Sequence, residues 1–451
     1  MTPVIDALRA ALPDDGVVVV DPDIVASYSR DRAMTAPAGI ALALVRARSA
    51  SDVQATMKIA TAHRTAVVPR GAGTGLSGGA SAIDGCITLS TEAMRAISVD
   101  PVAMTATVQP GLFNAEVKAA AREHGLWYPP DPSSFEICSI GGNLATNAGG
   151  LCCVKYGVTT DYVLGLEVVL ADGRIVRLGG RTIKDVAGYD LKRLFVGSEG
   201  TLGVITEATL RLRPLPPPMV TVAATFDDVA DAGRAVVAIM SSVRPAALEL
   251  MDRAAVMAVE RVRPMGFDDG VGAVLLAQSD VDAAEATRIS AACEAAGASY
   301  VAATADEAEG ELLMGGRRMA IPCVERLGTV LIEDVGVPIP RIPELVVEIE
   351  RIAQERQTLI PVIGHAGDGN FHPLVTFDRA DAEATARAEA AFDDVMRAAI
   401  ALGGTITGEH GVGSLKARHL VEQVGADAMD LMAAIKRALD PDNILNPGKW
   451  I

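Results

Sequence analysis

The sequence predicts an α+β protein that is divided into two or three domains. A chain of 451 residues is too long for one ordinary globular core. Between residues 40 and 216, short β-branched runs alternate with glycine-rich turns, and too many strands are adjacent for simple βαβ repetition. Residues 219–304 have the order β-α-β-β-α-β, which is typical of a ferredoxin-like unit.

The first region opens with a strand, a helix and a second strand. GIALALVRAR (residues 39–48) predicts the first strand. SASDVQATMKIATAHR (residues 49–64) predicts the helix, with Ser51 or Asp52 as its N-cap. TAVVPRG (residues 65–71) then predicts a strand that ends in a glycine loop.

A hairpin and a proline cluster close this region. In GLEVVLADGRIVRLG (residues 165–179), Asp172 and Gly173 predict the hairpin turn. RPLPPPMV (residues 213–220) cannot continue a helix or a central strand, because proline removes a backbone donor and fixes φ. The predicted domains are residues 1–216, a substrate or cap domain at 217–425, and a C-terminal segment at 426–451.

The composition indicates a folded, water-soluble protein. The net charge of -17 would repel phosphate backbones, so we expect no nucleic-acid partner. The N-terminus lacks a signal-peptide pattern, and no run approaches the ~20 apolar residues of a transmembrane segment. Six scattered cysteines without a CxxC pair indicate neither a disulfide framework nor a thiolate metal site. We therefore expect a cytoplasmic protein, with peripheral attachment at the membrane left open.

The loop PRGAGTGLSGGA (residues 69–80) contains a formal GxGxxG at Gly73, Gly75 and Gly78. A Rossmann fingerprint requires a helix directly after the glycines, but the following residues predict a turn and a strand. The loop instead predicts a concave arrangement of backbone N–H groups that binds an anion. A long mobile turn is the alternative.

Two further segments of the chain are also rich in glycine. DPSSFEICSIGGNLATNAGGLCCVKYG (residues 131–157) combines glycine pairs with hydroxyl and amide side chains. DVAGYDLKRLFVGSEGTLGVITEATLRL (residues 185–212) repeats the glycines. Glycine allows the backbone to approach a ligand closely, and the polar side chains supply hydrogen bonds.

In this order, the three segments resemble the FAD-binding domain of the vanillyl-alcohol oxidase and p-cresol methylhydroxylase superfamily, over about residues 38–216. The resemblance implies a two-subdomain FAD-binding domain of the p-cresol methylhydroxylase (PCMH) type. We expect the FAD to be non-covalent, because none of the six histidines lies in these segments and their cysteines are interpreted as packing residues. The implied FAD-binding residues are Arg70, Gly71, Gly73, Thr74, Gly75, Leu76, Pro132, Ser133, Ser139, Gly142, Asn143, Thr146, Asn147, Glu199, Gly203 and Ile205.

Two compact motifs in the second half of the chain hold three of the six histidines. GHAGDGNFH carries His365 and His372, and GEHGVG carries Glu409 and His410. The glycines make a helix implausible, but a turn can bring both imidazoles of the first motif to one point. Two histidines and a carboxylate are a common metal-ligand set with a position open for substrate. Structural histidines in glycine-rich turns are the alternative.

These motifs resemble the D-lactate, glycolate and D-2-hydroxyglutarate dehydrogenase branch of the same superfamily. The resemblance implies that His365, His372 and Glu409 bind a divalent metal. Zinc suits these ligands, and manganese or iron would also fit. The same resemblance implies that His410 is the base beside the flavin and that Asn370 faces the substrate. The tail ALDPDNILNPGKW matches as well; it is expected to return to the FAD domain, with Asn446 and Lys449 as flavin neighbours.

The implied reaction is oxidation of a small D-2-hydroxy acid to the 2-oxo acid, by hydride transfer to flavin N5. Arg317 is the expected clamp for the substrate carboxylate, and Arg318 is the alternative. The hydroxyglutarate branch adds a threonine and a lysine after this arginine. Here Ile321 follows, and no lysine lies between Arg317 and Lys416. This departure favours D-lactate or glycolate.

Several alternatives stay open from the sequence. They are a D-2-hydroxyglutarate dehydrogenase, another flavoprotein oxidase of this fold, a metal-dependent hydrolase, and a flavin-binding subunit of a multi-subunit oxidase. The electron acceptor is a quinone, an electron-transfer flavoprotein, a cytochrome or a partner subunit, since no NAD fingerprint survives. A homodimer is one oligomeric state that the sequence allows.

Overall fold

The computed structural model describes residues 2–268 and 270–451, which form two compact units. The first unit contains the chain up to Gly149, Val158–Leu215 and Glu409–Ile451. The second contains Gly150–Gly157 and Pro216–Gly408. We expected the C-terminal segment to begin at residue 426, but the first unit also takes in residues 409–425. One reason is local hydrogen bonding, since the Leu415 N–H donates to the Ser77 carbonyl at 3.1 Å.

The first unit holds a small, mostly parallel sheet that ends in the glycine loop. Its strands, in spatial order, are Val18–Val19, Ala43–Arg46, Ile87–Ser90 and Val67–Arg70. The last three run parallel and are almost wholly buried, which explains their continuous apolar sequence. The strand predicted at residues 65–71 is Val67–Arg70, and it leads directly into the glycine loop.

A larger antiparallel sheet completes the core of this unit. Its spatial order is Ile97–Asp100, Thr105–Val108, Val204–Arg211, Val163–Val169 and Ile175–Gly179. The predicted hairpin is confirmed: Val169 pairs with Ile175 around the turn, and Gly173 has φ +81°. Leu126–Trp127 and Arg213–Pro214 form a separate two-stranded ladder.

Helices cover these sheets and position the loops between them. The helix predicted at 49–64 spans Ala50–Ala62, and its N-cap is Ser49 rather than Ser51 or Asp52. The Ser49 hydroxyl accepts a hydrogen bond from the Asp52 N–H, so the helix begins earlier than expected. The other helices of this unit are Pro3–Ala11, Pro22–Ser27, Asn114–Arg122, Ile140–Thr146, Leu191–Phe195, Ala417–Val424 and Ala426–Leu439, with a 3₁₀ turn at Thr159–Tyr162.

The second unit is built on one eight-stranded antiparallel sheet. Its main path runs Tyr300–Thr304, Val220–Phe226, Ala273–Ser279, Ala247–Asp252, Val362–His365, Asn370–Phe377 and Thr329–Ile332, and Val335–Gly336 pairs beside Asn370–Phe377. The first four strands lie in the order 4-1-3-2 of their chain sequence, as in a ferredoxin-like sheet. The predicted α+β class is confirmed, and the sheet continues into the histidine motif.

Helices of the second unit include one that the sequence pattern did not predict, Arg253–Glu260, capped by the Asp252 carboxylate. The others are Cys153–Tyr156, Val229–Ser242, Ala283–Ala295, Glu307–Arg318, Ala320–Val324, Ile342–Arg356 and Ala382–Ala401, with a 3₁₀ turn at Ile339–Arg341. Within residues 2–268 and 270–451, no helix combines the length and apolarity needed to cross a membrane.

Candidate active site

In the first unit, the glycine loop packs against the second glycine-rich segment. The Ser139 hydroxyl accepts hydrogen bonds from the Ala72 N–H at 3.1 Å and from the Gly142 N–H at 3.3 Å. A side chain at Gly71 would collide with this hydroxyl. Gly73 has φ +74°, and a side chain there would strike the Arg70 guanidinium. The structure therefore brings two of the three predicted FAD segments together, with glycines where they touch.

Two buried polar atoms in this unit suit a bound cofactor. Arg70 is buried, and its Nη1 has no hydrogen-bond partner among the described residues. Burial lowers the pKa of this arginine, and the nearby Asp31 carboxylate opposes that shift. The Asn446 Oδ1 likewise lacks a donor within the described part of the chain. Because unmet buried donors and acceptors are costly, an anionic, hydrogen-bonding group such as FAD fits here.

Other predicted FAD residues are held by the protein itself. Asn143 Oδ1 accepts a hydrogen bond from the Asn114 amide at 3.0 Å. Asn147 ends its helix with φ +52°, and its Oδ1 accepts a hydrogen bond from the Thr160 N–H. The Thr146 hydroxyl donates to the Gly142 carbonyl. Ile205 is part of the hydrophobic core. These contacts show how the segments are shaped.

The remaining predicted FAD positions differ in exposure. Thr74, Gly75 and Leu76 are half-buried in the first loop, as is Pro132 in the second segment, whereas Ser133 is exposed. A side chain at Gly203 would press on Val168, so this glycine permits strand packing.

Glu199 makes contacts that the sequence did not predict. It is buried, and its two carboxylate oxygens accept hydrogen bonds from the Val412 N–H at 2.8 Å and the Gly413 N–H at 2.9 Å. Burial raises the pKa of Glu199 to about 7, against the effect of those two donors. The Asn446 amide also donates to the Glu199 carbonyl at 2.7 Å. The tail thus returns to the glycine-rich segments.

The glycine turn of the second unit places both of its histidines on one face of the sheet. Ile363 pairs with His372 across the antiparallel ladder, and His365 lies two residues beyond Ile363 on the same strand. Residues paired across a ladder share a face, as do residues two apart. The two buried imidazoles consequently lie edge to face, with ring centroids 5.1 Å apart.

Glu249 is a candidate site residue that was not predicted from the sequence. It is fully buried and pairs directly with His365 across the ladder, where its carboxylate oxygens lie 2.9 and 3.0 Å from His365 Nδ1. Its Oε2 is also 2.9 Å from Arg317 Nη2. One sign was available: an acid in the apolar strand ALELMD has to be paired to remain buried.

The two candidate arginines have different environments. Arg317 is 2 % exposed and ion-pairs with Glu249, and its Nε has no acceptor in the described residues. Arg318 is partly exposed and pairs with Glu311 on the same helix. Arg317 is therefore the arginine that belongs with His365, His372 and Glu249, a group that we call the histidine cluster.

Asp334 organises the other side of the cluster. It is fully buried, and its Oδ1 accepts from the Asn370 amide at 2.8 Å, which fixes the orientation of that side chain. Its Oδ2 accepts from the Thr407 hydroxyl at 2.7 Å and the Gly408 N–H at 2.9 Å. His372 Nδ1 lies 3.3 Å from the Glu333 carbonyl. No role was predicted from the sequence for Glu333 or Asp334.

Glu409 and His410 are the first residues of the C-terminal part of the first unit. His410 Nε2 lies 3.9 Å from Glu409 Oε1, and the His410 carbonyl accepts from the Ser77 hydroxyl at 3.0 Å. Of the other histidines, His419 is buried, and its Nδ1 lies 3.2 Å from Glu422 Oε1.

Comparisons with known proteins agree with this architecture. Residues 41–179 match the family model described as FAD binding domain, and residues 215–450 match FAD linked oxidases, C-terminal domain. Together the matches define an FAD-dependent oxidoreductase. The chain belongs to the FAD-linked oxidase family.

The curated relatives include enzymes named for three 2-hydroxy acids. The glycolate oxidase subunit GlcD of Bacillus subtilis is 43 % identical over 414 residues, which is 90 % of this chain and 88 % of the relative. D-lactate dehydrogenase of Archaeoglobus fulgidus is 38 % identical over 414 residues, covering 90 % and 91 %. D-2-hydroxyglutarate dehydrogenase of Xanthomonas citri pv. viticola is 36 % identical over 424 residues, covering 90 % and 89 %. The expected resemblance to this branch is confirmed.

Solved structures show the same fold at low identity. p-Cresol methylhydroxylase with substrate bound has a TM-score of 0.81 at 21 % identity, covering 99 % of this chain and 96 % of its own. The 4-ethylphenol oxidase from Gulosibacter chungangensis has a TM-score of 0.81 at 19 % identity with the same coverage. The expected PCMH-type fold is confirmed.

Proposed function

We propose that the protein oxidises a small D-2-hydroxy acid, D-lactate or glycolate, with a divalent metal beside its FAD. The observation that carries this proposal is the pair of adjacent buried imidazoles at His365 and His372. Each Nδ1 faces an oxygen acceptor, so a proton on Nδ1 leaves the lone pair on Nε2. Oriented histidines of this kind, backed by a carboxylate or a carbonyl, are typical metal ligands.

Glu409 is the third ligand in this proposal. It is peptide-bonded to Gly408, whose N–H is fixed on Asp334 in the histidine cluster. Consecutive Cα atoms are about 3.8 Å apart, so a residue directly after Gly408 starts close to that cluster. Two imidazoles and one carboxylate suit zinc, and they also accept manganese or iron.

The substrate carboxylate is assigned to Arg317. Its guanidinium is buried, and Glu249 fixes one of its nitrogens while the Nε lacks an acceptor within the described residues. A planar guanidinium recognises a carboxylate through paired hydrogen bonds. Asn370, held by Asp334, is oriented to contact a second substrate oxygen.

The chemistry follows from these assignments. FAD, when bound, would supply the hydride acceptor N5, and a metal held by the three proposed ligands would acidify the substrate hydroxyl. His410 takes the hydroxyl proton while the C2 hydrogen leaves with its electron pair. Arg317 and Asn370 hold the substrate in the orientation that this transfer requires.

D-2-Hydroxyglutarate is the second candidate substrate, supported by the relative from Xanthomonas citri. A diacid needs a cationic partner for its second carboxylate. This chain has Ile321 after the arginine and no lysine before Lys416. That composition supports the shorter monocarboxylates.

We also propose that a separate electron acceptor reoxidises the flavin. The relative from Bacillus subtilis is a glycolate oxidase subunit, which supports a partner subunit as the acceptor. A quinone, an electron-transfer flavoprotein and a cytochrome are the other candidates.

The test is anaerobic stopped-flow bleaching of the flavin band. The purified protein is mixed with D-lactate, L-lactate, glycolate and D-2-hydroxyglutarate, before and after chelation and after metal is restored. Bleaching by D-lactate or glycolate, lost on chelation and regained with metal, is the expected result. Bleaching by D-2-hydroxyglutarate alone would replace the substrate assignment, and bleaching unaffected by chelation would remove the metal.

A further inference from the structure

We propose that Glu199 is the positioning residue for His410, because its carboxylate holds the backbone immediately after that histidine. The inference rests on the proposed role of His410 as the base. It gives Glu199 a different role from the FAD contact implied by family resemblance.

The carboxylate and a nearby hydroxyl secure the loop immediately after the His410 side chain. Glu199 Oε1 accepts from the Val412 N–H at 2.8 Å, and Oε2 accepts from the Gly413 N–H at 2.9 Å. Ser77 donates to the carbonyl of His410 itself at 3.0 Å. The peptide units on the C-terminal side of the histidine are thereby fixed, and the Cα–Cβ direction of the imidazole follows from them.

The glycines of the GEHGVG motif make this contact sterically feasible. Gly411 has φ +85°, and a side chain there would lie 2.9–3.2 Å from the carboxyl atoms of Glu199. A side chain at Gly413 would collide with the Ser77 carbonyl, and one at Gly79 would lie 2.9 Å from Glu199 Oε2. The glycines therefore form the space that the carboxylate occupies.

Glu199 is itself fixed in an unfavourable backbone conformation. Its φ is +51°, which side-chain-bearing residues rarely adopt. Its N–H donates to the Ala145 carbonyl at 2.8 Å, and its carbonyl accepts from Asn446 at 2.7 Å. Such conformations persist where surrounding contacts over-determine them, and they cluster at functional sites.

The alternative role is direct binding of FAD. Both carboxylate oxygens already accept backbone N–H groups, and the side chain is 7 % exposed. A buried anion also has no favourable interaction with a pyrophosphate. The contacts therefore favour the loop over the cofactor.

The test compares Glu199→Gln with Glu207→Gln, a matched substitution in the same segment and outside the proposed machinery. A glutamine amide has one acceptor oxygen, so one of the two loop N–H groups would face an NH₂ donor. Glu199→Asp keeps both acceptor oxygens on a shorter side chain. Three properties are measured on FAD-loaded protein: hydrogen exchange of residues 407–415, FAD per chain, and the rate of anaerobic flavin reduction against hydroxy-acid concentration.

We expect Glu199→Gln to exchange faster at Val412 and Gly413 and to keep its FAD. Its limiting reduction rate should fall on the order of 100-fold, as expected for a misplacement of about 1 Å, with little change in half-saturating substrate. Glu199→Asp should lie between this variant and the wild type. Loss of FAD in Glu199→Gln, or exchange and reduction equal to those of Glu207→Gln, would overturn the proposal.

His410→Ala, assayed in parallel, separates this inference from the proposed function. A wild-type reduction rate in His410→Ala would overturn the role of His410 as the base and, with it, the positioning role. Hydrogen exchange in Glu199→Gln would still decide independently whether Glu199 holds the 412–413 backbone.

Discussion

Glu249 connects two side chains with different proposed functions through a single carboxylate. It is fully buried, and it contacts both the imidazole of His365 and the guanidinium of Arg317. Removing one partner of a buried charge pair costs several kcal/mol, because the other charge is left desolvated. Glu249 therefore belongs to the site through both contacts, although it is distant in sequence from the histidine motif.

Glu249→Gln should weaken metal binding about 10–100-fold, because a neutral amide orients His365 less strongly and makes it a poorer ligand. His372→Ala, which removes a proposed ligand, should reduce metal content further. Metal content after competition with a graded chelator measures both effects, with the exposed Glu294→Gln on helix Ala283–Ala295 as the control. Equal affinity in Glu249→Gln and the control would contradict the orienting role.

The buried Glu199 makes stability depend on pH. Burial raises its pKa to about 7 from 4.5, so the folded protein binds this proton more tightly than the unfolded chain. Its stabilising contribution is present below about pH 4.5 and is lost as the pH rises through about 7. In FAD-free protein, the loss of unfolding free energy between pH 5 and pH 8 should be smaller in Glu199→Gln than in the wild type. A slope identical to that of the wild type would show that Glu199 does not titrate in this range.

At the element scale, the start of helix Ala50–Ala62 depends on one hydroxyl. Ser49 accepts from the Asp52 N–H at 3.2 Å, and Asp52 in turn accepts from the Arg48 N–H at 2.8 Å. This reciprocal bonding satisfies donors that an uncapped helix would leave open. Ser49, Ser51 and Asp52 are all suitable N-cap residues and lie within four positions, so the local pattern does not distinguish among them.

Ser49→Ala should therefore lower the free energy of unfolding by about 1 kcal/mol, the usual cost of losing an N-cap. Ser51→Ala should change it by less than about 0.5 kcal/mol, because Ser51 is exposed within the first turn. Urea unfolding of the two variants measures the difference. A larger loss of unfolding free energy in Ser51→Ala than in Ser49→Ala would indicate that Ser51 is the N-cap, as predicted from the sequence.

At the scale of the whole molecule, membership of the FAD-linked oxidase family means that the protein binds FAD. Whether this FAD is attached covalently can be tested. None of the six histidines lies in the three FAD segments, and Cys138 and Cys152 are buried. We expect acid precipitation to release all of the yellow colour into the supernatant, and added FAD to raise the unfolding temperature of the stripped protein. Free ligand at 100 times its dissociation constant stabilises by about 2.7 kcal/mol. Colour retained in the washed pellet would demonstrate a covalent flavin.

The sequence alone determined much of the architecture. Turn chemistry at Asp172–Gly173 predicted the hairpin, the proline cluster predicted a boundary near residue 216, and periodicity predicted the ferredoxin-like order of strands. These features depend on neighbours in sequence, for which local conformational preferences are sufficient. The glycine-rich and histidine motifs likewise carried the resemblance to the FAD-linked oxidase family, which the family models confirm.

Tertiary structure alone decided which side chains meet. The pairing of Glu249 with His365 spans 116 residues, and that of Glu199 with Gly413 spans 214. Such contacts depend on strand register and on where a loop returns, and no local pattern encodes either one. Arg317 was expected from sequence to bind substrate, but its partner Glu249 became visible only in the structure, where the ladder places Glu249 beside His365. Residue type and spacing thus indicated which chemical groups this protein has available. Long-range packing in a low-dielectric interior decided which of those groups are paired and oriented.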